Sequence, residues 1–428
     1  MNSIQCRILV FLVLLTSCFS PVCGKDKKPR QAIEKLSIDG PYLLKADDGS
    51  MRAISVDGKG RLLDKHYKSI PTSFSFEVFS DNGERLFPVT IHSVSRPKWK
   101  DVQPEKTFVL SDPHANWSCF ASLLKAGKVI DADYNWIFGT NQLVIIGDVF
   151  DRGVDVLPIY WLIYKLEKEA EDAGGKVTFL IGNHETMVLG NDLRYTKKKY
   201  TQLADTLGMT YPELWQKSEL GHWLKTRNSI QVVGDNLFVH AGLSKEFLDR
   251  NYDIPTVNEI VSDGLFLTKK ERNADKGSDL SFMFATYGPI WYRGMVRGAD
   301  KYHPLDRDDL RKILEKYNVN RIFVGHTIFD DITTFYHYKV IAVNVSPLMA
   351  TKYKMNIVSI ALRSYNFMFR SNSFPEREKA DLLIEPYNLE GYSNTELEKA
   401  EEIFMQGYNT TNDILERLLI DKGSIWKE

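Results

Sequence analysis

Cysteine is scarce in this chain. It occurs at Cys6, Cys18, Cys23 and Cys119 only, and three of the four fall within the first 24 of 428 residues. A body with the single thiol Cys119 has no disulfide framework. An excess of one charge is missing too. The formal net charge is −1, which gives no sign of a nucleic-acid partner. Long apolar runs are also missing. The one at residues 8–15, after Arg7, is too short to cross a bilayer as a helix, and no later stretch qualifies. Hydrophobic residues make up 43%, ordinary for a globular protein, and the length suits a large catalytic domain with a small accessory region.

The early apolar run reads as a signal peptide over residues 1–24. Leu15-Thr16-Ser17-Cys18 is similar to a bacterial lipobox, which would lipidate Cys18 and anchor the protein to a membrane. Val22-Cys23-Gly24 fits ordinary cleavage. The expectation is an exported protein, in the bacterial periplasm or as an outer-membrane lipoprotein, ahead of full secretion. Cys119, on an expected helix, reads as a small buried hydrophobe rather than a redox thiol.

Residues 25–104 form a β-rich accessory region without visible chemistry. Asp39-Gly40, Asp48-Gly49, Asp57-Gly58 and Asn82-Gly83 read as tight hairpin turns. Phe74, Phe76 and Val78 alternate with polar residues as in a half-buried strand. From 105 to 369 strands and helices alternate, with helices at 117–127 and 154–172. A polar insertion at about 190–229 reads as a helical cap over the strand ends, and its run Lys197-Lys198-Lys199 as a solvated face. A second insertion spans 245–288, and later strands are expected at 333–337, 340–345, 356–362 and 364–369. The tail, 370–428, should carry helices at 394–406 and 411–421.

The chemistry gathers at strand ends. Leu143-Val144-Ile145-Ile146 is an apolar run closed by Gly147-Asp148-Val149-Phe150-Asp151-Arg152-Gly153. A carboxylate in a glycine-bounded turn suits a metal, and one Asp can bridge two cations. Alone, Asp148 could equally cap the next helix. Its neighbours decide otherwise. Four other apolar runs lead into Asp112-Pro113-His114, Gly182-Asn183-His184-Glu185, His240-Ala241-Gly242 and Gly325-His326-Thr327. Open α/β sheets place their ligands at such carboxyl ends.

These motifs, in this order, resemble the calcineurin-like metallophosphoesterases. Asp151-Arg152-Gly153 is similar to the PPP-type protein phosphatases. Asp192-Leu193-Arg194-Tyr195, Phe238-Val239-His240-Ala241-Gly242 and Pro289-Ile290-Trp291-Tyr292-Arg293-Gly294 resemble the Shewanella-like protein phosphatases. The resemblance covers about 105–345. It departs at Ser111 and Ala115, and at Ala241, where the family has glycines.

The resemblance implies an α/β fold: a β-sandwich flanked by helices, with a helical cap and the small N-terminal β-rich region. It implies two divalent cations, of Mn, Fe or Zn, clamping a phosphoryl group around a bridging hydroxide. Asp148 would bridge them. Asp112 and His114 would complete one site, and Asn183, His240 and His326 the other. Ile328 stands where many relatives carry a further His. An oxygen and nitrogen ligand set disfavours Cu(I). Arg152 and Arg293 would hold the phosphate, whose geometry matches the guanidinium fork, and Asn183 would also face the substrate. His184 would be the general acid, oriented by Asp151. The expected activity is phosphomonoester hydrolysis, on a phosphoprotein (Ser/Thr or Tyr) or a small phosphomonoester. A nucleotide or dinucleoside-polyphosphate hydrolase and a non-catalytic phosphoprotein-binding protein are the alternatives. Asn116-Trp117-Ser118 fits a glycosylation acceptor within the metal loop, where a glycan would block the site. Synthesis outside a glycosylating pathway follows as an expectation.

Overall fold

The computed structural model describes residues 35–69 and 74–345. The expected leader with Cys18, the strands at 356–362 and 364–369, and the tail 370–428 lie outside the described residues.

Two sheets form the centre. The first holds β7 (Thr107–Leu110), β8 (Gln142–Ile145) and β9 (Lys176–Phe179), all parallel. The second has β6 (Lys100–Asp101) at one edge, followed by β10 (Ile230–Val233), β11 (Asn236–Val239), β12 (Arg321–Val324), β14 (Val340–Ala342) and β13 (Thr333–Phe335). Alternation along each strand sorts side chains to opposite faces. Val109, Val144, Val233, Phe238, Phe323 and Ile341 therefore meet in a dry core of their own. Phe238 and Phe323 stack there, with ring centroids 4.9 Å apart. Phe108, Leu110, Leu143 and Ile145 face outward into the main core with the helices. The expected sandwich flanked by helices is present.

Helix α1 (Trp117–Ala126) begins at Asn116, whose side chain accepts from the Cys119 backbone N–H at 3.1 Å. Helix α2 (Val156–Asp172) is buried along most of its length, because it lies between the first sheet and the N-terminal β segment. That segment comprises β1 (Asp39–Lys45), β2 (Met51–Val56), β3 (Leu62–Tyr67), β4 (Ser75–Phe79) and β5 (Arg85–Thr90). Trp161 of α2 donates to the Pro41 carbonyl at 3.0 Å and meets Phe76 edge-on at 4.7 Å. Asp48-Gly49, Asp57-Gly58 and Asn82-Gly83 sit between strands as hairpin turns. Asp39-Gly40 does not. It opens β1, where the register shifts before Tyr42, because pairing with β2 continues across it.

Helix α3 (Asn183–Leu189) leads into α4 (Lys198–Thr206), α5 (Tyr211–Gln216) and α6 (Glu219–Lys225). Thr210 and Glu213 form a reciprocal capping box on α5. The lysine run is only partly solvated. The Lys199 side chain is 9% exposed, because its ammonium pairs with Asp81 and donates to the Val154 carbonyl at 2.8 Å. It thereby ties α4 to the β4–β5 turn. The remaining helices are α7 (Lys245–Asp249), α8 (Ile254–Gly264), α9 (Lys269–Arg272), α10 (Asp279–Met283) and α11 (Arg307–Tyr317). Among the described residues no helix is long and apolar enough to cross a membrane. Cys119 is partly buried, and burial pushes its thiol up to about 11, which makes it an inert thiol.

Candidate active site

Strands β7, β8, β9, β11 and β12 all end at one place. The loops there are strained. Asp112, His114, Ala115, Asp148, Asp151, Arg152 and His326 all have φ between +44° and +70°. Non-glycine residues cost about 1–3 kcal/mol each in such conformations, and persist where the surroundings over-determine them. Ala115 carries part of this strain where the family has glycine, whereas Ala241 has no positive φ. Gly147 (φ +79°) makes the turn before Asp148, and a Cβ there would lie 2.6 Å from the Gly182 nitrogen. At Gly182 a Cβ would overlap the Asp148 carboxylate. Glycine at both positions lets the β8 and β9 loops close on each other.

Asp148 is 1% exposed and does not cap the next helix, α2, whose N-cap is Asp155. Its Oδ1 accepts from the His184 backbone N–H at 2.9 Å, and its Oδ2 lies 3.3 Å from His240 Nε2. His240 Nε2 is also 2.9 Å from Asn183 Oδ1, while Nδ1 contacts the Ile146 carbonyl at 2.7 Å. One ring nitrogen is thus fixed by backbone and the other faces two oxygens. His326 is buried, and its Nε2 has no hydrogen-bond partner. Ligand atoms of Asp148, His240 and His326 lie within 4.8 Å of one another, as do those of His114, Asp148 and His184.

Asp112 belongs to neither of these groups. Its Oδ1 accepts from the His326 N–H at 3.2 Å and its Oδ2 from Asn344 Nδ2 at 2.6 Å. Ser111, standing where the family has glycine, also donates to Oδ1. His114 turns its Nδ1 to the Phe150 carbonyl at 2.9 Å, and its ring meets that of His184 edge-on at 4.7 Å.

The electrostatics follow from packing charge into a dry place. Burial raises Asp112, and the like charge of Asp148 raises it further. Burial also acts against the charged form of Asp148, but His240, His184 and His114 outweigh it and hold the carboxyl well below its usual range. Burial opposes charge on His240, yet the Asp148 carboxylate pushes it up to about 9. Burial, reinforced by His240 and Arg293, holds His326 well below the ordinary imidazole range. A neutral imidazole with an unshared lone pair beside a buried carboxylate is what a divalent cation takes. The residues fit such a cation.

His184 Nδ1 lies 2.7 Å from Asp151 Oδ2, and Asp151 Oδ1 accepts from the Thr196 hydroxyl at 2.7 Å. Burial works against the imidazolium, but Asp148 and Asp151 more than offset it, so His184 is raised. A cleft of about 150 Å³ opens above, and Asp148, Arg152, Asn183, His184, Arg293 and His326 all line it. Arg293 is braced by the Thr327 hydroxyl at 2.9 Å, and Arg152 is exposed.

Sequence reasoning missed Glu185. Fully buried, its carboxylate accepts from the backbone N–H of Asp148, Val149 and Gly182, each at 2.8 Å, and from the Tyr160 hydroxyl. It locks the Asp148 loop to the Asn183 loop. Its place beside Asn183-His184 was visible in the sequence, but its partners are remote in the chain. Thr196 and Asn344 were missed for the same reason, whereas Arg194, Tyr195 and Trp291 stood in motifs that carried the resemblance but were given no role in the site.

Residues 106–329 match the family model of the calcineurin-like phosphoesterases. The chain belongs to that family, and is a metal-dependent phosphoesterase of the phosphoprotein-phosphatase type. Its relatives include the Shewanella-like protein phosphatases. Shewanella-like protein phosphatase 2 of Arabidopsis thaliana is 28% identical over 274 residues, covering 53% of this chain and 67% of that protein. Shewanella-like protein phosphatase 1 of Plasmodium berghei is 26% identical over 225 residues, covering 52% and 61%. The chain thus spans about two thirds of the length of these relatives. The crystal structure of the cold-active protein-tyrosine phosphatase of a psychrophilic Shewanella species superposes with a TM-score of 0.66 at 34% identity, covering 73% of this chain and 91% of that one.

Proposed function

We propose that this chain removes phosphate from phosphoproteins, phosphotyrosine included, with two divalent cations bound among Asp112, His114, Asp148, Asn183, His240 and His326. One observation carries the reading. His184, paired with Asp151, lines a cleft together with Arg152, Arg293, Asp148 and His326, and the buried His240 lies against Asp148. When bound, the cations supply Lewis-acid stabilisation of the phosphoryl oxygens and an activated water. The chain supplies the rest. Arg152 and Arg293 bind and orient the phosphate. Asp151 holds the His184 ring through Nδ1, and Thr196 holds Asp151. That leaves Nε2 to donate a proton to the departing ester oxygen. Phosphotyrosine is favoured by the likeness to a solved protein-tyrosine phosphatase. Phosphotyrosine and phosphoserine peptides of one sequence, together with nucleotides, assayed with Mn, Fe and Zn, test the reading. Faster hydrolysis of nucleotides than of either peptide would overturn it. Export, with cleavage at Cys18 or after the leader, belongs to the same proposal, and N-terminal sequencing of mature protein tests it.

Arg293→Ala should keep both metals and lose roughly 10²–10³ in turnover, the scale of removing one donor to developing charge. Turnover within a factor of three of wild type would return Arg293 to a structural role.

Metal removal should make pH act in two opposite ways. The folded value of about 9 for His240 lies above its ordinary 6.5. In chelated protein the imidazolium therefore contributes stability that is complete below about 6.5 and lost as pH rises through about 9. A cation needs the neutral ring, so metal affinity should rise over the same window, about tenfold per pH unit for each proton displaced. Melting temperature of chelated protein and titration with Zn, both against pH, read the two slopes. Parallel slopes would exclude His240 as a ligand.

A further inference from the structure

Beside His184, the loop between α3 and α4 presents a large aromatic that is half open to solvent yet held rigid. Tyr195 is 49% exposed and lines the cleft. Its ring centroid lies 5.6 Å from that of His184, and its carbonyl accepts the Arg152 N–H at 3.3 Å. The loop is pinned at both ends. The Asp192 N–H donates to the Met187 carbonyl at 2.7 Å, and the Thr196 hydroxyl is bonded to Asp151. Arg194 also lines the cleft, with a side chain 60% exposed. Asp192 holds it from behind through Nε, at 2.8 and 3.1 Å, and through Nη2. A guanidinium has five N–H donors. This fork uses Nε and Nη2, and the guanidinium also lies over the neighbouring Tyr195 ring, 5.8 Å from its centroid, so the two side chains form one wall. Trp291 and Met187 line the same cleft.

We propose that Tyr195 and Arg194 form a leaving-group subsite that selects aryl phosphate esters: Tyr195 stacks against the ring of phosphotyrosine, and Arg194 holds the peptide around it. The proposal rests on the phosphoprotein reading above and extends it to specificity. The leaving oxygen has to depart beside His184, and Tyr195 is the apolar surface next to that point. A phosphotyrosine ring begins at the ester oxygen and reaches this wall. In phosphoserine a single methylene joins the oxygen to the backbone, so there is no ring to stack. Aromatic pairs gain beyond their buried area in offset or edge-on geometry. Asp192 offsets much of the charge on Arg194, which suits it to hydrogen-bonding neutral peptide carbonyls more than to a second phosphate.

The test measures kcat/KM of the metal-loaded enzyme on a phosphotyrosine peptide, a phosphoserine peptide of the same sequence, and p-nitrophenyl phosphate. Tyr195→Ala should lower the tyrosine-to-serine ratio by about 5- to 10-fold, mainly through KM. Tyr195→Phe, which keeps the ring, should hold the wild-type ratio. Arg194→Ala should cost about tenfold more on the phosphotyrosine peptide than on p-nitrophenyl phosphate, which has a ring and no peptide. Equal losses on both peptides in Tyr195→Ala, or a fall in ratio as large in Tyr195→Phe, would overturn the aryl subsite. Equal losses on both aryl substrates would overturn the role of Arg194. A wild-type enzyme inactive on both peptides but active on nucleotides would sink the phosphoprotein reading itself.

Discussion

Asp148→Asn is expected to leave a folded protein that holds little metal and turns over substrate roughly 10³–10⁴-fold more slowly. The reason is charge. Asp148 is the one carboxylate common to both clusters that could hold a cation, His114–Asp148–His184 and Asp148–His240–His326. It is buried among three imidazoles, two of which must be neutral to serve as ligands on the proposed reading. An amide of the same shape keeps the bond from the His184 N–H but brings no charge against two cations. Glu185 continues to clamp the loop through the backbone N–H groups of Asp148 and Val149, so the fold should survive. Metal analysis beside turnover separates the outcomes. A variant with both metals at full occupancy would show that Asp148 is not the shared ligand.

The legible part of this site was written in short local signals. Val144, Ile145 and Ile146 before Gly147 read as a buried strand and its turn, because burial on both faces of a parallel sheet demands a continuous apolar run. The same local logic located the loops after β7, β9, β11 and β12. Other features depend on what the chain meets after folding. Glu185 bonds residues 36 and 37 positions away, and no pattern in the sequence announces which backbone groups will be left unpaired there. Lys199 looked like part of a solvated run until Asp81, 118 residues distant, met it. Asp39-Gly40 has the local chemistry of a turn, but pairing of Tyr42 with Ile54 draws it into β1. Asn344 on Asp112 is the longest reach, 232 residues, and ties the end of the described chain to the first motif. Tertiary context outweighs local preference in each case.

His184 is where the structure sharpens a choice between two roles. Its Nδ1 is committed to Asp151, and its remaining nitrogen faces the site that Asp148 and His114 also face. A general acid matters in proportion to how badly the leaving oxygen needs a proton. The alkyl oxygen of phosphoserine leaves poorly and needs one, whereas nitrophenolate leaves largely unaided. His184→Asn should therefore slow a phosphoserine peptide by about 10²–10⁴, and p-nitrophenyl phosphate by clearly less. A ligand would behave differently, since loss of metal lowers both substrates together. Asp151→Asn should follow the same unequal pattern more weakly, because it leaves the imidazole in place beside Asp148 but removes the second charge that raises it and the partner that fixes its tautomer. With metal held saturating and its content measured, the ratio of the two losses decides. Equal losses at full occupancy would remove the acid role from His184, and with it the orienting roles of Asp151 and Thr196.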